Sequence, residues 1–243
     1  PQFKTTRLDC KRRAEQYWDT PFLIRNYDYS SNLWEATIMH TAWNGRRVIA
    51  MSDCMWGVLD GMNETGLAVS LAFGGRKVVG DGFGIPLILR YILEFCDTTA
   101  QATAVLCRVP SHMAYNVTVL DKAGTHATVF VSPDRPTYIS RKQSATNHHG
   151  SVEWLEHATA TASVDRAYLL THRLQDENET SVRFIKRFLE PPLYQTKHQQ
   201  GWGTLYTAIY SPNTGRVSCR WPGYHLELDI VNFSEQTLTL RFG

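Results

Sequence analysis

The sequence predicts an α+β fold: two stacked sheets with a helical layer on each outer side, the alternative being a single α+β sheet. Three observations lead there. The chain reads in the order strands, two helices, strands, two helices, strands. Apolar runs such as Val117-Thr118-Val119-Leu120 indicate sheets covered on both faces, and stacked layers bury such faces. With 243 residues, 43% of them hydrophobic, the chain can build a sizeable core, and it reads as one domain over 1–243.

Segments 23–28, 35–41 and 47–51 are rich in β-branched and aromatic residues and read as strands. Asn44-Gly45 is a hairpin turn between the second and third. Another strand is expected over 66–73. A helix is expected over 85–96, with Pro86 in the tolerated first turn and Leu89, Ile92, Leu93 and Cys96 at helical spacing. Asp97-Thr98-Thr99 offers caps for a helix over 100–108 that stops before Pro110. Strands follow over 114–121 and 126–131, with a short third over 137–140. Helices fit 163–174 and 181–189, the second ending at Pro191-Pro192. The tail reads as strands over 205–210, 216–221, 226–231 and 237–242. Gly57, Gly61, Gly66, Gly74 and Gly75 are read as turn residues rather than a phosphate cradle.

Composition excludes several classes of function. The formal charge of +2 and one short basic run, Lys11-Arg12-Arg13, do not make a nucleic-acid surface. No apolar stretch reaches the roughly 18 residues of a membrane span. Five cysteines without CxxC spacing argue against a disulfide framework and a zinc site. Cys54, Cys96 and Cys107 read as inert core thiols, and a reducing cytoplasm is the expected compartment. Nothing reads as a P-loop or a dinucleotide fingerprint, so no cofactor is expected.

The candidates for chemistry begin at Cys10. A cysteine becomes a useful nucleophile when nearby positive charge favours its thiolate. A hairpin through Asp19-Thr20 would bring Lys11 opposite Asp28 and gather Cys10, Arg25, Asn26 and Asp28 in one patch. The bland alternative is a structural cysteine beside a salt-bridged Arg and Asp. A rival site is Ala14, the start of a tighter hairpin, where alanine would stand in place of a nucleophile. Asn147, in Ala145-Thr146-Asn147-His148-His149, could donate to an oxyanion or be a turn residue. The paired histidines lack the spacing of metal ligands. A Cys10–His148 pair lacks the local text of papain-like proteases. Ser163 reads as a helix cap, with Arg166 able to order the site or reach substrate. Trp202, Tyr206, Tyr210, Trp221 and Tyr224 read as core, with some able to line an acyl pocket.

Several blocks of this text resemble a known family. Arg25-Asn26-Tyr27-Asp28-Tyr29 is similar to the Arg-Asn-x-Asp motif of N-terminal nucleophile hydrolases in the choloylglycine hydrolase and isopenicillin N acyltransferase group. The stretch from Asp60-Gly61-Met62-Asn63 to Ser70, then Phe73-Gly74-Gly75-Arg76, Gly82-Phe83-Gly84-Ile85-Pro86 and Arg90-Tyr91-Ile92-Leu93-Glu94, continue it in order. Ala145-Thr146-Asn147-His148 with Ser163-x-x-Arg166, Gly203-Thr204-Leu205-Tyr206-Thr207 and Trp221-Pro222-Gly223 complete it.

The resemblance implies the four-layer αββα sandwich and a cysteine that becomes the first residue after self-cleavage. Carried over residue by residue, it implies Cys10 as nucleophile and Arg25 and Asp28 flanking it. Asn147 is implied at the oxyanion, with Asn26, Ala72 and Arg166 in contact with substrate. Residues 1–9 would be a propeptide remnant and 10–243 the mature part. Two positions depart from the pattern: Lys11 follows the cysteine where Ser or Thr is usual, and Ala72 replaces an Asn typical of bile-salt hydrolases. The expected function is hydrolysis or transfer of an acyl group from a linear small-molecule amide through a thioester. The alternative is a non-catalytic relative that binds an acylated ligand. Neither nucleic acid nor membrane is an expected partner, and a homo-oligomer is allowed.

Overall fold

In chain order, the strands and helices of the computed structural model begin with β1 (Gln2–Lys4), β2 (Leu23–Tyr29), β3 (Ile38–Thr41), β4 (Val48–Asp53), β5 (Gly57–Asn63) and β6 (Ala68–Phe73). Helices α1 (Ile85–Phe95) and α2 (Thr99–Arg108) follow, then β7 (Tyr115–Leu120), β8 (His126–Val131), β9 (Tyr138–Ser140) and β10 (Ser144–Ala145). The second half holds α3 (Leu155–Ala160), α4 (Ser163–Gln175), α5 (Ser181–Arg187), β11 (Gly203–Ser211), β12 (Arg216–Trp221) and β13 (Tyr224–Asp229). The structure describes residues 2–4, as backbone, and 20–242.

The strands form two antiparallel sheets. One runs β10-β1-β2-β11-β12-β13, the other β3-β4-β5-β6-β7-β8-β9. The main core lies between them and under α1 and α2, and includes Leu23, Met62, Val69, Val119, Leu205 and Ala208. A second cluster (Ile24, Leu170, Phe184, Phe188, Leu193, Ile209) seats α4 and α5 on the outer face of the six-stranded sheet. This is the four-layer arrangement that the element order predicts.

Strand periodicity explains how β2 serves both interfaces. Successive side chains point to opposite faces. Leu23, Arg25 and Tyr27 therefore face the other sheet, and Ile24, Asn26 and Asp28 face the helical layer. Leu23 and Ile24 accordingly fall in different clusters, both fully buried. In α1, buried Ile85, Ile88, Leu89, Ile92 and Leu93 form one helical stripe against the seven-stranded sheet. Each contributes roughly 1.5–3 kcal/mol when taken wholly out of water.

Three expectations are corrected and one element is added. Gly57 and Gly61 are not turn residues but lie inside β5, whose seven residues are all buried. A Cβ at Gly61 would meet Ala50 Cβ at 2.7 Å and Leu93 Cδ1 at 2.9 Å, and one at Gly57 would run into Pro86. Absent side chains there let α1 close on the sheet. The segment 237–242 is not a strand; its Leu238, Leu240 and Phe242 pack on the core as irregular chain. Cys54 and Cys107 are exposed, while Cys96 is buried. Helix α3, for which the sequence carried no cap or period strong enough, is an added element.

Candidate active site

The site is built where β2 continues past its neighbour. β1 pairs with β2 through Gln2↔Arg25, Phe3↔Ile24 and Lys4↔Leu23. Beyond Arg25, β2 is paired only on its other side, with β11, among the described residues. β1 is antiparallel, so its N-terminal end points along Asn26–Asp28. A cavity of about 500 Å³ opens there, lined by the run from Arg25 to Tyr29 and by Asp53, Ala72, Phe73, Tyr115, Asn147, Trp154, His157 and Trp202. That volume suits a small-molecule ligand. A second cavity of about 300 Å³, under residues 233–240, has no ionisable side chain in its lining and offers no acyl-transfer chemistry.

Asp28 is the most firmly held group of the site. Its Oδ2 accepts from Arg166 Nη1 at 2.6 Å and its Oδ1 from Thr204 Oγ1 at 2.5 Å. Arg166 is wholly buried, and donates from Nε to Pro192 O and from Nη2 to Leu193 O, both at 2.8 Å. A guanidinium fixed on three sides holds one carboxylate in one orientation. Arg166 therefore holds Asp28 in place, with its remaining donors spent on the 192–193 backbone. Asn26 is equally committed: its amide donates to Phe188 O and Leu193 O at 2.8 Å, and its carbonyl accepts from Thr207 Oγ1 at 2.7 Å.

Arg25 points the other way, as the β2 alternation requires. It crosses to the second sheet and pairs with Asp60, which has no exposed surface. Tyr206 and Tyr210 also donate their hydroxyls to Asp60, Tyr206 at 2.5 Å. Burial works against the Arg25 charge, but Asp60 and the Tyr206 ring outweigh it and hold the guanidinium pKa above its usual value. Burial and the Asp60 charge push the Tyr206 and Tyr210 phenols well up. Among the described residues Arg25 Nε has no partner, and the residue lines the cavity, so this cation is both a tie between sheets and part of the cavity wall.

Asn147 reaches the cavity from the loop after β10. Asn116 on β7 brackets it, donating from Nδ2 to Thr146 O at 2.5 Å and to His148 O at 3.0 Å. Gly75 takes the left-handed φ of +69° directly beneath, where a Cβ would strike Asn147 O. His148 turns away, with Nδ1 at 2.8 Å from Ser163 Oγ. Ser163 therefore fastens this loop to α4 instead of capping the helix, whose N-cap is Ala162. His149 packs on Phe130 with ring centroids 4.9 Å apart, and burial lowers its pKa to about 4. The two side chains thus diverge, His148 towards α4 and His149 towards β8.

Ala72, on β6, lines the cavity without a polar side chain. Trp202 lines it too, whereas Tyr206, Tyr210 and Trp221 are core and Tyr224 is exposed. Cys10 and the rival position Ala14 lie outside the described residues. So does Lys11, expected opposite Asp28; the residue paired with Arg25 is Gln2. Sequence reasoning left Asp60, Asn116 and Thr204 without roles. Asp60 and Thr204 stand inside the blocks that carry the resemblance, which was the available signal.

Two stacked antiparallel sheets lie between helical layers, with an aromatic-walled cavity beside β2; this is the fold of N-terminal nucleophile hydrolases. Solved structures agree on the fold. A mutant of the conjugated bile acid hydrolase from Clostridium perfringens superposes with a TM-score of 0.65 at 11% identity, covering 93% of this chain and 95% of that one. Penicillin V acylase from Agrobacterium tumefaciens gives 0.60 at 14% identity, over 95% and 86%. The Caenorhabditis elegans N-acylethanolamine-hydrolyzing acid amidase ortholog gives 0.58 at 14% identity, over 88% and 93%. No curated protein matches by sequence. Residues 16–225 match the family of acyl-coenzyme A:6-aminopenicillanic acid acyl-transferase, and the chain belongs to that family. It is an enzyme of the N-terminal nucleophile type, an amide hydrolase or acyltransferase. No helix among the described residues is long and apolar enough to cross a membrane.

Proposed function

We propose that this enzyme cleaves or transfers the acyl group of a linear small-molecule amide through a thioester on Cys10, after self-cleavage between Asp9 and Cys10, which would release β1 from its place beside β2. The observation that carries the reading is Asp28, locked by Arg166 and Thr204 on the wall of an aromatic cavity that Asn147 also lines. Cleavage would turn the Cys10 nitrogen into an α-amine, and that amine takes the thiol proton as sulfur attacks the amide carbon. Asp28 would orient the resulting ammonium. The Asn147 amide would donate to the oxyanion. Collapse expels the amine, which leaves with the proton from the α-ammonium. Water, or an acceptor amine, then resolves the thioester in the reverse sense, giving a carboxylic acid or a new amide.

Intact mass spectrometry tests the reading. The expected result is loss of residues 1–9 and, by peptide mapping, an iodoacetamide adduct on the new terminal Cys10 whose formation parallels loss of amidase activity; the exposed Cys54 and Cys107 are alkylated too, but without that correlation. Full-length protein that is active, or a Cys10→Ala variant that still turns over amides, overturns Cys10 as nucleophile. The non-catalytic alternative predicts ligand binding without turnover in either protein.

A further inference from the structure

One charged group in the cavity lacks the counter-charge its neighbours have. Of the charged side chains that line it, Arg25 is paired with Asp60 and Asp28 with Arg166. Asp53, at the end of β4, is half-buried and lines the same cavity. Among the described residues it forms no ion pair, and its side-chain hydrogen-bond partner is the Cys54 thiol at 3.5 Å. Burial raises its pKa, and among the described residues no cation acts on it; the nearby charge is a second carboxylate, Glu35. Glu35 itself is occupied by Ser52 Oγ and the Met55 amide, both at 2.6 Å. The cations at the aromatic wall are spent elsewhere: Lys77 lies over Trp154 at 4.4 Å, and Arg25, paired with Asp60, lies over Tyr27 at 4.9 Å.

The cavity that Asp53 lines is otherwise largely aromatic. Tyr27 and Tyr115 both line it and both feel the Asp53 charge. Tyr29 and Trp202 line it as well, edge to face with ring centroids 6.4 Å apart. A carboxylate partly removed from water and uncompensated is costly. A carboxylate in an aromatic-lined cavity is also a setting in which an ammonium gains an ion pair and cation–π contact. A carboxylate-bearing or neutral apolar end would leave Asp53 unmatched.

We infer that the substrate amide carries a protonated primary amine, seated on Asp53 in the aromatic-lined cavity. The inference rests on the proposed amide chemistry and specifies its substrate class. The ammonium could belong to the acyl chain or to the released amine, and the test has an arm for each.

The first arm compares aminohexanoyl and heptanoyl nitroanilides. The second compares the monophenylacetyl amide of diaminopentane with phenylacetyl hexylamide. In each pair an ammonium replaces a methyl. In one arm kcat/KM should favour the charged member by about tenfold or more, the strength of a charged hydrogen bond. Asp53→Asn should bring that ratio close to one. Calorimetric binding of ketone isosteres of both pairs, with CH2 in place of the amide N–H, reads the same preference without turnover. Turnover with no charge preference in either arm refutes the ammonium site and leaves the catalytic reading standing. An Asp53-dependent binding preference without turnover of any amide does the reverse. A preference that survives in Asp53→Asn assigns the cation elsewhere and overturns the inference.

Discussion

Replacing Asp60 with leucine tests the tie between the two sheets. Asp60 is fully buried and accepts from Arg25, Tyr206 and Tyr210. Its loss strands a guanidinium that is 3% exposed. Breaking a buried pair from one side costs about 3–5 kcal/mol, and two orphaned hydroxyls add about 1–3 kcal/mol each when they find no other partner. Not all of this adds, so about 5 kcal/mol is the working figure for Asp60→Leu. That is a third or more of the roughly 5–15 kcal/mol of a whole domain. In a chain of this size it lowers Tm by about 10–20 °C. The double variant Arg25→Met with Asp60→Leu removes both charges and leaves only the hydroxyls unmet, a cost of about 2 kcal/mol. The double should therefore be more stable than Asp60→Leu alone by about 3 kcal/mol, and the Arg25→Met single completes the cycle that gives the coupling. Urea unfolding and scanning calorimetry of the four proteins in the cycle provide the values. A double variant no more stable than the single, or an Asp60→Leu loss below about 1.5 kcal/mol, refutes the account. Amidase activity should not return in the double, because Arg25 also walls the cavity.

Two further outcomes follow from the same geometry. Asn116→Ala removes both donors that bracket Asn147, and a small misplacement of a catalytic group is worth up to about a hundredfold. Its kcat should fall about ten- to a hundredfold with Tm lowered only modestly; an unchanged kcat would sever Asn116 from the site. The His149 pKa is lowered from about 6.5 to about 4 by burial, so between those values the unfolded chain binds the extra proton. Its stabilising contribution is full above about pH 6.5 and is lost as pH falls towards 4, by up to about 3 kcal/mol. Burial lowers His148, His157 and His198 as well, which steepens the same limb. His149→Phe should flatten the stability profile between pH 6.5 and 4, measured by denaturant midpoint; an identical slope would show that His149 does not carry it.

Local rules account for much of what the sequence determined about this protein. Period-two alternation places Arg25 on one face of β2 and Asn26 and Asp28 on the other. The stripe from Leu89 to Cys96, the Thr98 cap and the Asn44-Gly45 turn are short-range patterns, and α1, α2 and the β3–β4 hairpin follow them. Strand and helix order then leaves few ways to layer two sheets and two helical pairs. The partners of the polar groups were decided only by tertiary structure. Asp60 lies 35 residues from Arg25, Arg166 lies 138 from Asp28, and Asn116 lies 30 from Thr146. Nothing in a local window marks such pairs, because the desolvation that makes each one obligatory exists only once the layers have closed. The glycines of β5 and the failed strand at 237–242 have the same cause. Whether Gly61 is a turn, or 237–242 an extra strand, depends on what packs against it, and that is a property of the assembled core rather than of the residues in the segment.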